Sequence, residues 1–344
     1  MQKLSIPDAV AMIRHVAIDH NEPMMFWGAP GIGKSEGVQQ MVDDLDGVMV
    51  DIRLSQYDSV DLRGFPGVEK DTDQTVWHPP STLPFAGNDR FPDDKLIVLF
   101  LDELNSAVPA VMAVAYQLVN EKRVGEHKLK PNVRVVAAGN RETDRGVTNR
   151  MPLPLANRFT HVEGVESVDA WCLWGQKTGK VPPVGVAFMQ FRKPMLMTFK
   201  PDTTEKAFAT PRTWIKAMKY YESNMPEHLK MAAMAGAVGD GPSAEFWGFV
   251  DIWQKMIPIS EIIKNPEKVP LPKESDMGMR YALTINVSGH MDKKTVKPLA
   301  TFLGRLEPEF QVLAWQMATK RDDQLDQTDE FMAFAKKHKG VMLG

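Results

Sequence analysis

Residues Gly28-Ala29-Pro30-Gly31-Ile32-Gly33-Lys34-Ser35 spell the pattern G-x-x-x-x-G-K-[ST]. No other stretch limits the fold as strongly, because the pattern works only between a buried strand and the start of a helix. Its glycines let the backbone curl until successive N–H groups point inward at phosphate oxygens, and the following helix adds the positive end of its dipole. The apolar run Met24 to Trp27 supplies the strand, and a helical pattern from about Lys34 to Asp44 supplies the helix. In such a loop the residues Gly28, Ala29, Pro30, Gly31, Ile32 and Gly33 wrap a phosphate chain. Lys34 then reaches the β and γ phosphates, and the Ser35 hydroxyl is placed to ligate Mg²⁺.

Further strands are expected at Val48 to Ile52, Leu96 to Leu101 and Val133 to Ala138, with a weaker one at His161 to Val165. Helical stretches lie between them, best marked from Pro109 to Glu121, and Ser5-Ile6-Pro7-Asp8 reads as the start of a helix ending near Asn21. Strands alternating with helices imply an α/β domain whose parallel sheet, here of five strands, is covered on both faces. The region 61–94 interrupts the rhythm with many Pro and Gly and shows no sustained period. After about Gly179 helical periodicity dominates, so the expected domains are 1–178 and 179–344, with the boundary near Lys177 to Pro183. Pro266 to Ser275 reads as a loop, and Leu303 to Thr319 and Thr328 to Lys337 read as helices.

The run Leu96 to Leu101 leads directly into Asp102-Glu103. A carboxylate at a strand end beside the phosphate loop can hold Mg²⁺, which is the role expected of Asp102. Glu103 can orient and deprotonate a water for attack on the γ-phosphate. The strand Val133 to Ala138 ends in Gly139-Asn140, where the Asn140 amide can help to hold that water.

With these residues in place the chain resembles the AAA+ ATPases, and among them the MoxR-like group, which includes the relatives that activate Rubisco. The resemblance rests on Gly28 to Ser35, on Leu99 to Asn105 (Leu-Phe-Leu-Asp-Glu-Leu-Asn), on Ala137 to Asn140, on Pro152 to Phe159 and on Thr210 to Trp214. Asp61-Leu62-Arg63-Gly64 is similar to the start of the group's insertion in the second core helix, and the likeness thins beyond about residue 222. It implies a P-loop AAA+ core followed by an α-helical lid, with ATP and Mg²⁺ bound. It also implies a homo-oligomeric ring of six, and an arginine finger at Arg158 that reaches the neighbouring subunit's γ-phosphate, with Arg145 and Arg150 in the same stretch as alternatives. Arg212 resembles the second sensor, carried by the lid. Two loops would face a central pore: 61–84, with Phe65, Trp77 and His78, and the hairpin around Arg123 to Lys130. Their aromatic residues either contact partners or anchor the loops to their own core.

Composition narrows the remaining options. Of the 344 residues 43% are hydrophobic and 25% charged, which is ordinary globular usage. A net charge of −3 gives no chain-wide nucleic-acid surface, and Lys293, Lys294 and Lys297 read as a solvated face. The longest apolar run is far short of a membrane span, and the N-terminus lacks the pattern of a signal peptide. The single cysteine, Cys172, reads as a core residue, and a cytoplasmic setting is expected. The 22 methionines read mainly as core filler. No zinc, EF-hand, nucleophile-elbow or guanine-recognition pattern is present. The function expected is a ring-forming ATPase that remodels a partner protein, one with a von Willebrand factor A domain if the group's habit holds. The alternatives are a nucleic-acid motor or loader, and a slow nucleotide-gated scaffold.

Overall fold

The computed structural model describes residues 1–71, 73–144 and 149–338, the side chain of Glu142 excepted. The chain divides into two compact units, 1–166 with 200–203, and 167–199 with 204–344. The division falls between Glu166 and Ser167, ahead of the Lys177 to Pro183 stretch where Gly and Pro suggested it. Gly179 instead makes a turn inside the second unit, where Trp171 and Cys172 of the preceding helix join the same apolar cluster as Val184 and Phe188.

The strands of the first unit are β1 (Lys3–Ser5), β2 (Met24–Trp27), β3 (Val48–Arg53), β4 (Phe65–Val68), β5 (Thr75–His78), β6 (Ile97–Asp102), β7 (Arg123–Val124), β8 (His127–Lys128), β9 (Val133–Gly139) and β10 (Thr160–Val165). Its α-helices are α1 (Ile6–Ile13), α2 (Lys34–Asp44), α3 (Ser59–Arg63), α4 (Pro109–Glu121) and α5 (Leu153–Ala156). A parallel sheet runs in the order β1-β10-β2-β9-β6-β3, so it has six strands rather than five. The extra edge strand β1 pairs Lys3 with Glu163 and Ser5 with Val165. At 3 residues it is too short to show an alternating pattern, and Ser5 also caps α1 by accepting from the Asp8 N–H.

Side chains alternate across the sheet, and the helices divide between its faces accordingly. Phe26, Phe100 and Val136 pack with Ile13 of α1 and Val38 of α2. Leu99, Leu101 and Ala137 point the other way, into a cluster with Val111 and Leu118 of α4. Every residue of β6 is buried, as a central strand covered on both sides requires.

The interrupting region 61–94 is more ordered than its lack of period suggests. β4 and β5 form an antiparallel hairpin in which Phe65 lies opposite His78 and Val68 opposite Thr75. Pro66 and Gly67 within β4, and the exposure of most of its positions, hide the strand from a pattern search. Gly64 enters the hairpin at φ +86°, and a Cβ there would overlap the His78 carbonyl oxygen. The β7–β8 hairpin lies alongside, through a contact of 2.8 Å between His127 Nε2 and the Trp77 carbonyl.

The second unit is helical: α6 (Val168–Lys177), α7 (Pro183–Phe191), α8 (Pro211–Glu222), α9 (Glu227–Val238), α10 (Asp240–Gln254), α11 (Ile259–Lys264), α12 (Met277–Gly289), α13 (Val296–Leu303), α14 (Pro308–Arg321) and α15 (Asp329–Lys337). The helix expected over Leu303 to Thr319 is α14 and starts later, at Pro308, because α13 ends at Leu303 with Gly304 as its C-cap and Pro308 suits the first turn of a new helix. One core centres on Trp214, Phe188 and Phe246, with Phe188 edge-on to Phe246 at 5.4 Å between ring centres. Met189, Met218 and Met234 are fully buried in it, as core filler should be. Among the described residues no helix is long and apolar enough to cross a membrane.

Cys172 is fully enclosed in that core, and burial pushes its thiol pKa far up. It should therefore resist a thiol-specific chromogenic reagent in buffer and react once denaturant unfolds the second unit. Rapid labelling of the native protein would show that this core opens readily.

Candidate functional site

The phosphate loop leaves β2 at a point where the sheet hems it in. Trp27 is paired with Gly139 of β9 on one side and Glu163 of β10 on the other. The Gly28 N–H donates to the Gly139 carbonyl at 3.3 Å. A Cβ on Gly28 would collide with the Ile32 side chain and come within 2.9 Å of the Gly164 carbonyl oxygen, so the chain passes there only as glycine. Gly31 and Gly33 take φ +78° and +104°, the left-handed region that glycine adopts without strain. Gly33 is also the N-cap of α2 and brings no side-chain acceptor to the first turn. A curl of amides and a helix start without a side-chain cap form a cradle that suits a phosphate chain.

Lys34 is 9% exposed, and its ammonium donates to the carbonyls of Gly28 at 2.8 Å and Ala29 at 3.2 Å, and to Asn140 Oδ1 at 3.1 Å. It thus joins the loop to the end of β9. Ser35 Oγ donates to Asp102 Oδ2 at 3.4 Å. Asp102 lies two residues beyond Phe100, so it shares the sheet face that packs against α2, and this brings the hydroxyl and the carboxylate together. Mg²⁺ characteristically takes one or two protein oxygens plus phosphate oxygens and water, and this hydroxyl–carboxylate pair fits that habit. Among the described residues no group of three or more His, Cys, Asp and Glu could form a dedicated metal cage.

Glu103 adopts φ +55°, ψ +35°, a left-handed conformation uncommon for a residue with a side chain. Its N–H donates to Asp102 Oδ1 at 2.9 Å, and its carboxylate accepts a short hydrogen bond from Ser55 Oγ. Arg53 lies opposite Asp102 in the β3–β6 register. Its guanidinium stands 3.9 Å from Asp102 Oδ2 and 3.8 Å from Glu103 Oε1. Asp51, on the same face, has its carboxyl pKa raised, first by burial and then by the charges of Asp102 and Glu103, with Arg53 opposing. Neither Arg53 nor Ser55 carried a sequence signal. Asn105 joins the site too, donating through Nδ2 to the Asn140 carbonyl at 2.8 Å.

The structure therefore brings together Lys34, Ser35, Asp102, Glu103 and Asn140 around the loop. Arg158 stands apart at the end of α5, exposed, with its Nη2 donating to Tyr116 Oη at 3.4 Å and its guanidinium 5.9 Å from the Tyr116 ring centre. Arg150 is exposed as well, and Arg145 lies outside the described residues. Arg212 belongs to the second unit, exposed in the first turn of α8, whose Thr210 and Thr213 form a capping box. Of the hairpin aromatics, Phe65 is 65% and Trp77 40% exposed, so Phe65 does not anchor its loop to the core.

A parallel sheet whose second strand runs through a glycine cradle into a lysine-serine helix start defines the P-loop α/β class. Residues 23–159 match the family described as AAA domain (dynein-related subfamily), so the first unit carries an AAA domain. Among solved structures the chain is similar to a RuvB variant from Thermotoga maritima, at 13% identity over 86% of this chain and 89% of that one, with a TM-score of 0.42. It is similar to a second RuvB variant from the same organism, at 13% identity over 85% and 86% of the two chains, with a TM-score of 0.38. A closed-state Hsp104 with ATPγS and casein aligns at 16% identity over 76% of this chain and 44% of that one, with a TM-score of 0.35. No curated protein sequence matches the chain significantly.

The close approach of Gly28 to Gly164 makes one expectation specific. Gly28→Ala must displace the Gly164 backbone as well as the Ile32 side chain, so it should cost about 1–3 kcal/mol in a denaturant titration. An unchanged midpoint would mean that the loop has more room than this packing allows.

Proposed function

We propose that this chain is a MoxR-like AAA+ ATPase that assembles into a ring and uses Mg-ATP hydrolysis to remodel a partner protein. The observation that carries the reading is the convergence of Lys34, Ser35, Asp102, Glu103 and Asn140 on one cradle at the carboxyl ends of β2, β6 and β9. In this reading the loop amides and Lys34 bind the phosphates, and Ser35 and Asp102 hold the Mg²⁺. The ion neutralises charge on the phosphate oxygens when bound. Glu103 takes the proton of the attacking water, while Arg53 and Ser55 set the charge and direction of its carboxylate. Asn140, with its Oδ1 turned to Lys34, directs its NH₂ elsewhere in the site, where it can hold that water.

Arg158 serves a neighbouring subunit. Its exposure, and its loose seat on Tyr116 away from its own loop, suit a guanidinium offered outward. The second unit acts as the helical lid and Arg212 as its sensor, on the strength of the likeness of Thr210 to Trp214 to the MoxR-like pattern. The exposed Phe65 hairpin is the pore-facing contact for the protein substrate. A partner with a von Willebrand factor A domain rests on the MoxR-like resemblance alone.

Turnover per chain should rise with protein concentration at saturating Mg-ATP and then level off, because the site is completed between subunits. Glu103→Gln should lower turnover by at least about 100-fold while ATP binding persists. Undiminished hydrolysis in that variant would remove Glu103 from its role.

Arg158→Ala should likewise lose at least about 100-fold. Mixing it with Glu103→Gln subunits should restore part of the activity, since each Glu103→Gln subunit can lend its Arg158 to an intact neighbouring site. No recovery in co-assembled mixtures would refute action in trans.

A further inference from the structure

Asn105 follows the acidic pair in the short 3₁₀ turn Leu104–Ser106 and is 1% exposed. Its Nδ2 donates to the Asn140 carbonyl at 2.8 Å, and its own carbonyl accepts from the Asn149 N–H at 2.6 Å. Asn149 Nδ2 in turn donates to the Ala107 carbonyl at 2.9 Å. The turn after Asp102-Glu103 therefore holds both the end of β9 and the chain where it enters 149–159.

Two features set Asn105 apart from a packing residue. Its Oδ1 is buried and has no hydrogen-bond partner among the described residues. A buried amide with an unpaired oxygen is costly, and an apolar side chain there would avoid that cost. The second feature is Gly139, whose φ does not require glycine. A Cβ on Gly139 would overlap Asn105 Oδ1 and come within 2.7 Å of Met25 Cε. The glycine before Asn140 thus leaves the space that lets the Asn105 amide reach the next carbonyl.

We infer that Asn105 is a positioning residue for ATP hydrolysis, acting through Asn140. Asn140 is the first residue past β9, where the sheet ladder no longer holds it. Two bonds secure it instead: Asn105 holds its carbonyl, and Lys34 holds its side-chain Oδ1 at 3.1 Å. With both ends held, the Asn140 NH₂ has one direction left. Because water scarcely reaches Asn105, no solvent molecule can replace its amide donor. This inference rests on the ATPase reading above and adds to it the residue that aims Asn140.

The test uses the full chain and measures steady-state ATP turnover against ATP concentration, ADP binding by calorimetry, and thermal melting. Asn105→Ala should lower kcat by about 10- to 100-fold, the scale expected when a reacting group is misplaced, with KM for ATP and Kd for ADP nearly unchanged. Asn105→Asp keeps the shape but removes the amide donor, so it should fall alike, and it decides the matter if Asn105→Ala fails to fold. Gly139→Ala should give the same loss by pushing Asn105 aside. The double variant Asn105→Ala/Gly139→Ala should be little worse than either single change, because both break one contact. Normal kcat in Asn105→Asp, a KM that rises in step with the fall in kcat, or multiplied losses in the double variant would each overturn the assignment. Absence of turnover in the unaltered protein would overturn the ATPase reading and this one with it. An active unaltered protein with unaffected variants would remove Asn105 alone.

Discussion

The pairing of β2 between β9 and β10 sets the position of every group at the phosphate loop. Trp27 is held level with Gly139 and Glu163, so the chain enters the loop at a fixed height above the sheet. The same ladder places Leu101 level with Ala137 and Arg53 level with Asp102. A slip of one residue at β6 would turn Asp102 to the face covered by α4 and away from Ser35. The buried apolar residues on both faces of β6 prevent that slip, so core packing is what holds the site in register.

The same crowding of strand ends carries an electrostatic cost. Asp51, Asp102 and Glu103 stand close together, and the raised pKa of Asp51 records the burial and mutual repulsion. The Arg53 guanidinium lies beside Asp102 and Glu103. Its 49% exposed side chain is partly solvated, so it relieves the repulsion without forming a tight ion pair at 3.8–3.9 Å. A divalent cation held by Ser35 and Asp102 would relieve it more fully, because a double positive charge next to the carboxylates attracts them more strongly.

Much of the fold was legible wherever local chemistry marks it. α2 spans Lys34–Asp44 and α4 spans Pro109–Glu121, as the glycine cap and the first-turn proline indicate. The hidden elements are those whose residues look unlike their class. β1 is too short to carry a period, β4 contains Pro66 and Gly67, and the stop after Leu303 was obscured by an apolar pattern that continues across Gly304. For the candidate site, the loop, the acidic pair and Asn140 are contiguous with strand ends and could be read directly. Arg53 and Ser55 could not, because they reach the site from a neighbouring strand and the turn after it, which only pairing brings there. Asn105 closes the Leu99 to Asn105 segment, but its hold on Asn140 shows only once the turn lies against the end of β9.

By itself the sequence determined the P-loop class, the alternation of strands and helices, and the residues at the exits of β2, β6 and β9, because those depend on spacing along a single strand-turn-helix segment. Tertiary structure decided the sixth strand, the hydrogen bond of Ser55 to Glu103, the placing of Arg53 beside Asp102 and the hold of Asn105 on Asn140. Each of these joins residues far apart in the chain or turns on which way a buried amide points. The physical reason is that a strand's neighbours are chosen by the burial of whole faces, and no short window of residues contains that choice.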